Sequence, residues 1–172
     1  DPHEYKLDVP ALFLRAKFVN ARKEGIPLSD RVLADTDTLG RLGSKASGLV
    51  NRASKSTPLR VIGEKVGGIH RAAWLPMFAS PTFSEWFADN RDRLDTKVVE
   101  PTRKAALFYT CYLNYWGQPA AVACAEVFSH NGIEVVVPAQ QCCGMPFLDI
   151  GAAKGVQRKI DANLPQLLKA ID

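Results

Sequence analysis

The sequence predicts an α/β chain: a helical N-terminal extension followed by a β-α-β-α unit with a short parallel sheet. Three observations predict it. Before residue 100, apolar residues recur at helical spacing in short runs broken by Gly, Pro and Ser. After it, the mostly apolar run Lys104 to Thr110 precedes a helical stretch, and then comes the β-branched run Ile133 to Val137. Between helix and second strand, Asn131-Gly132 is a helix stop. The chain thus divides into a helical linker region, residues 1–100, and a compact cysteine-bearing domain, residues 101–172.

In chain order, Ala11 to Lys23 reads as a helix entered through Pro10 and ended by Gly25, with Leu12, Phe13, Ala16 and Val19 at helical spacing. Ser29 to Ala34 reads as a short helix. Thr38 to Ala53 reads as one longer helix with Leu39, Leu42, Ala46, Leu49 and Val50 along one stripe. Pro58 to Val66 is the next, because proline suits a first turn, where an N–H has no partner to lose. Ser80-Pro81 reads as N-cap and first position of a helix through Phe87. Lys104 to Thr110 is a buried strand bounded by Pro101 and Cys111, Pro119 to His130 a helix, and Ile133 to Val137 a strand ended by Pro138. The last helix is Ile150 to Ile171, weakened by Gly151, Gly155 and Pro165.

Composition narrows the class. Of 172 residues, 47% are hydrophobic, enough for a core, while mean hydropathy is near zero. No apolar stretch reaches the roughly 20 residues a spanning helix needs, and residues 1–20 do not read as a signal peptide. A chain opening on Asp1 reads as a piece of something longer. Four cysteines are too few for a secreted disulfide scaffold, and a reducing, cytoplasmic setting is the better reading.

The cysteines carry the chemistry. A strand-helix-strand order predicts a parallel pair joined by a right-handed crossover, so the loops leaving both strands emerge at one edge, where open α/β sheets place ligands. Cys111 follows the first strand; Cys142 and Cys143 follow the second. Successive side chains on an extended strand face opposite ways, so the chain must turn for both to serve one centre. Gly144 permits that turn, and Pro146 fixes the exit. Three gathered thiolates repel one another unless a cation neutralises them. The residues therefore point to a metal or iron–sulfur centre on Cys111, Cys142 and Cys143, with thiol redox chemistry and simple core packing as the alternatives. Cys124, mid-helix beside Ala120, Ala121 and Phe128, reads as a core residue. His130, in a helix's last turn, reads as a dipole partner; His3 and His70 have no ligand spacing.

CYLNYWGQP, with Cys111, Asn114 and Pro119, and NGIEVVVPAQQCCGMP, with Cys142, Cys143 and Gly144, resemble the cysteine-rich CCG-domain family. That family includes the B subunits of heterodisulfide reductases and the iron–sulfur subunits of glycolate oxidases. Upstream, PALFLRAKFVNARKEG, LADTDTLGRL, PLRVIGEKVGGIHR and LPMFASPTFSEWF resemble the linker found in the C subunits of anaerobic glycerol-3-phosphate dehydrogenases, and DPHEYKLD the segment after that group's ferredoxin-type motifs. The resemblance implies a central fragment of an electron-transfer subunit, not itself catalytic, that passes electrons from a flavin dehydrogenase subunit toward quinone or another acceptor. The implied cofactor is a 4Fe-4S type cluster in the full-length protein, with Cys111, Cys142 and Cys143 as ligands and Gly144 shaping their loop. The ferredoxin-like motifs, the third cysteine element (due seven residues or more past Asp172) and a second CCG repeat lie outside the sequence. The alternatives are a thiol or heterodisulfide reductase module and a non-redox zinc-binding interaction module.

From Arg41 to Arg60 the charges are Arg41, Lys45, Arg52, Lys55 and Arg60, with no acid between. Arg41, Lys45 and Arg52 share a helical face opposite the leucine stripe. This reads either as a solvated face or as a basic helix on an anionic membrane surface; the resemblance favours a peripheral place on the inner face of the cytoplasmic membrane. Nucleic acid is not an expected partner, because aromatics are not interleaved with the basic residues and no recognition motif is present.

Overall fold

The computed structural model describes residues 4, 5, 8–95 and 103–171. The expected boundary at residues 100 and 101, Pro101 as a strand boundary, His3 and much of DPHEYKLD fall outside them.

Helix α1 (Val9–Glu24) begins where the Asp8 carboxylate accepts the Ala11 amide, with Pro10 in its first turn, and ends at Gly25, whose φ is 80°. Helix α2 (Leu28–Ala34) leads through Asp35 into α3 (Thr36–Lys45). The single helix expected over Thr38 to Ala53 is two, α3 and α4 (Ser47–Lys55), separated at Ala46. Gly40, Gly43, Ser44, Ser47 and Gly48 make this stretch a weak helix former. The break also serves packing. The Asn51 side chain on α4 donates to the Phe78 carbonyl and accepts the Phe78 amide, both at 2.9 Å. Gly40 and Gly43 on α3 lie so close to the rings of Tyr115 and Phe78 that a Cβ at either position would sit 2.1 or 2.2 Å from a ring carbon. Helix α5 (Thr57–Gly67) has Pro58 in its first turn and stops at Gly68, φ 70°.

Helix α6 (Phe83–Asp95) starts two residues later than expected and runs longer. Its cap is Thr82, not Ser80: the Glu85 carboxylate accepts the Thr82 amide at 2.8 Å, and the Thr82 hydroxyl accepts the Glu85 amide at 3.3 Å. This is a reciprocal capping box, legible in the sequence as T-F-S-E. Strand β1 (Arg103–Ala106) is shorter than the apolar run that announces it. After it come α7 (Cys111–Tyr115), α8 (Gln118–His130), β2 (Ile133–Val136), α9 (Met145–Asp149) and α10 (Ala153–Ile171). The last helix does not start at Ile150 as expected; Gly151, φ 73°, separates α9 from α10.

The chain is an α/β fold with a helical N-terminal region. The strands β1 and β2 pair in parallel, Arg103 against Ile133 through Ala106 against Val136. The core lies between α6, α8 and the sheet: Phe83, Phe87 and Leu94 meet Ala121, Ala125 and Val135, flanked by Trp86, Leu107, Tyr109 and Phe128. Two buried polar groups lock it. Ser129 donates to the Leu94 carbonyl at 2.8 Å, and Asn114 accepts the Ser84 amide at 2.9 Å. The helices α1, α4 and α5 bury no residue fully. Among the described residues no helix is long and apolar enough to cross a membrane.

Candidate metal centre

The parallel pair delivers two of the predicted cysteines to one place. Cys111 opens α7, where the Thr110 hydroxyl accepts the Leu113 amide. Cys142 lies in the loop between β2 and α9. Their sulfurs are 3.7 Å apart. Cys142 is buried, Cys111 half-buried and Cys143 exposed. Gly144 takes φ 90°, in the left-handed region, and serves as N-cap of α9, so it makes the turn that a side chain would strain. Among the described residues no group of three His, Cys, Asp or Glu side chains is gathered as a metal site. Cys143 is nonetheless near enough that its charge disfavours ionisation of Cys111. Cys124 is half-buried in α8, apart from the pair. His130 is exposed at the end of α8.

The two thiols lie within hydrogen-bonding distance of each other. The Cys142 thiol is depressed to about 5. The main cause is its hydrogen bond with Cys111; burial opposes the shift, and the Thr36 hydroxyl and the Gly144 amide add to it. The Cys111 thiol is pushed up, first by its hydrogen bond with Cys142 and then by burial. The Thr36 hydroxyl is buried with no partner of ordinary hydrogen-bonding geometry. A buried donor in that state is costly. Its position against both sulfurs makes it a donor toward whatever negative charge they carry.

Residues that the sequence reading passed over hold the loop. Asn163 on α10 accepts the Gln141 amide at 2.7 Å and donates to the carbonyls of Gln141 and Cys142 at 3.2 and 3.1 Å. Asp37, in the first turn of α3, accepts the Cys142 amide at 2.9 and 3.1 Å. Lys159 on α10 donates to Asp37 at 2.6 Å and to the Gln141 side chain at 3.0 Å. The only available signal was a row at four-residue spacing, Gly155, Lys159 and Asn163, which is buried on α10. Pattern reading assigns the buried face to apolar residues, and here the small and polar row is inside.

The aromatics around Cys111 build the wall of this edge. Tyr109 meets Phe83 edge-on at 5.4 Å, and Trp116 packs against Phe78, Tyr112 and Tyr115. Burial, with the charge of Asp37 added, pushes the Tyr115 hydroxyl up to about 12. The basic segment does not form the single face expected, because the break at Ala46 divides it. Arg60 is spent on structure, donating to the carbonyls of His70, Arg71 and Ala73. Arg41, Lys45, Arg52 and Lys55 are exposed.

The pair's spacing has a chemical reading. Two thiolates on one tetrahedral ion, each with a bond of about 2.3 Å, lie about 3.8 Å apart. The observed separation is within reach of that value, and Thr36 and Gly144 are near enough to favour negative charge on Cys142. Cys111 and Cys142 therefore fit two positions on one metal.

The CCG family, described as a cysteine-rich domain, matches residues 105–170. Two curated relatives are the C subunits of anaerobic glycerol-3-phosphate dehydrogenase from Escherichia coli K12 and from Escherichia coli O157:H7. Each is 23% identical over 158 residues, covering 91% of this chain and 38% of the relative. The chain thus spans well under half the length of the curated relatives it matches. No solved structure matches. The matched stretch holds the Cys142-Cys143-Gly144 turn and Cys111 at the head of α7, so residues 105–170 are similar to the CCG cysteine-rich domain.

Proposed function

We propose that the chain is part of an iron–sulfur electron-transfer subunit, and that Cys111, Cys142 and Cys143 are ligands of its centre. The observation that supports this best is the 3.7 Å approach of Cys111 and Cys142, sulfurs brought from separate loops to one sheet edge. Cys143, exposed beside the Gly144 turn, would be the third ligand. When bound, the centre supplies one-electron transfer. The chain's own groups set its surroundings: Thr36 and Gly144 donate toward the sulfurs, and Tyr109, Tyr115 and Trp116 keep water from one side. A further ligand has to come from beyond these three, since such clusters are commonly held by four. The kinship with a dehydrogenase component supports a dehydrogenase partner, with a flavin subunit as donor and quinone as one acceptor. Residues 1–100 would then be the helical arm and 101–172 the cluster-bearing domain, at the inner face of the cytoplasmic membrane.

Anaerobic reconstitution of the protein at its full natural length, with iron and acid-labile sulfide counted, tests the reading. Iron and sulfide in matched amounts, with a reducible visible absorbance, are expected. Zinc without sulfide would assign the site to a non-redox zinc module instead.

A second reading, thiol or heterodisulfide reduction, draws on one observation: a thiol depressed to about 5 in contact with a second thiol. It requires an iron position open to a substrate sulfur. Added thiol that perturbs the reconstituted spectrum favours it, and an unchanged spectrum removes it.

A further inference from the structure

Lys159 is 9% exposed and Asp37 is half-buried. Their contact, at 2.6 Å, joins a helix of the N-terminal region to the last helix of the chain, with the Cys142 amide on the same carboxylate. Burying an ammonium is costly unless it is paired and hydrogen-bonded. Packing alone is served as well by an apolar residue, so a charged pair here asks for a reason. The loop offers one. The carboxylate sits one amide away from the Cys142 sulfur. Lys159 closes the other side, its Cβ 3.2 Å from where a side chain on Gly144 would begin. Charges fixed in a partly dry site act at an effective dielectric well below that of water. The field of Asp37 reaches Cys142, Tyr109 and Tyr115.

We propose that Asp37 and Lys159 are a positioning pair for the sulfur site: together they hold the Cys142 loop, and with opposite signs they set the reduction potential of the centre bound there. This rests on the iron–sulfur reading above. A centre that gains an electron becomes more negative. An anion beside it opposes reduction and a cation favours it, in line with the dependence of cluster potentials on nearby charge and hydrogen bonds. Asp37→Asn keeps an oxygen for the Cys142 amide and removes the negative charge, so the potential rises. Lys159→Met keeps the buried stem and removes the positive charge, so the potential falls. The double variant removes both and returns toward the parent, and Lys159→Arg keeps the parent value.

The test is a dye-mediated anaerobic titration with dithionite of the reconstituted full-length protein and these variants, with iron and sulfide counted in each. Each single variant is expected to shift the one-electron equilibrium at least threefold, or about 28 mV at 59 mV per tenfold change, with opposite signs. Shifts of the same sign, or none, overturn the proposal. A merely structural role would lower cluster content without that sign pattern. If a single variant loses its centre, the double variant decides: a potential within threefold of the parent supports the pair, and a larger displacement or an empty site overturns it. A parent protein that takes up no iron and sulfide sinks the iron–sulfur reading itself. A loaded parent with insensitive variants sinks only this inference.

Discussion

The helices before Ala79 and the fold after Pro81 are built by different rules. Beyond Pro81, α6, α8 and the sheet enclose a common core around Phe83, which is fully buried. In α4 and α5 the apolar rows face outward, with Leu49 75% and Val66 85% exposed. Helices α1 and α5 rely on local devices: the Asp8 cap, Pro58 in a first turn, the Gly68 stop, and Arg60 bridging carbonyls. Such devices determine that a helix forms and where it ends. They do not determine what it packs against, so elements of comparable sequence quality differ in how much stability each residue supplies.

The comparison breaks most readily at its extremes. Phe83→Ala should cost about 3–5 kcal/mol through the lost side chain and the cavity left behind, whereas Leu49→Ala should stay within about 0.5 kcal/mol. Urea melts monitored by circular dichroism measure both, and comparable losses would mean that α4 carries a core of its own. Next in size is Asn163→Ala, which leaves the Gln141 amide and the Cys142 carbonyl without a side-chain partner. A loss of about 1–3 kcal/mol is expected, together with faster amide exchange at Gln141. Thr82→Ala should cost about 1 kcal/mol by opening the capping box of α6; a neutral result would leave the helix start to packing alone.

The smallest effect sharpens the site rather than the fold. In the metal-free protein one thiolate should appear as pH rises through about 5, the depressed value of Cys142, and Cys111→Ala should move that midpoint toward the ordinary 9.0. The sign follows from linkage. Cys142 is depressed on folding, so its contribution to stability is full above 9 and is lost as pH falls through 5. Cys111 is raised, so its contribution is full below 9 and fades as pH rises above it. Stability from the pair therefore peaks near pH 9. Ultraviolet thiolate absorbance against pH reads the first effect, and melts across the same range read the second.

How much is legible in the sequence follows the same division. The parallel pair and the meeting of Cys111 with Cys142 are readable, because strand direction fixes which loops share an edge and β-branched Ile133 to Val137 marks the second strand clearly. The break at Ala46 is not, since the leucine stripe runs on through it and conceals what Gly40, Gly43 and Gly48 permit. The Thr82 cap is present as T-F-S-E and is masked by the more familiar Ser-Pro pair two residues earlier. Asp37, Lys159 and Asn163 are hidden for a different reason. Their importance comes from contacts over more than a hundred residues in the case of Asp37, and no local pattern marks a lysine as inside. On α10 the apolar row Ile160, Leu164 and Leu168 is about half exposed, while Lys159 and Asn163 are buried.

The central claim is that Cys111, Cys142 and Cys143, and not Cys124, hold a centre. It is tested most directly by counting iron and sulfide in the reconstituted full-length protein with Cys142→Ser and Cys124→Ser side by side. Loss of the centre from Cys142→Ser with normal content in Cys124→Ser is the predicted result; equal loss from both, or retention in both, contradicts it.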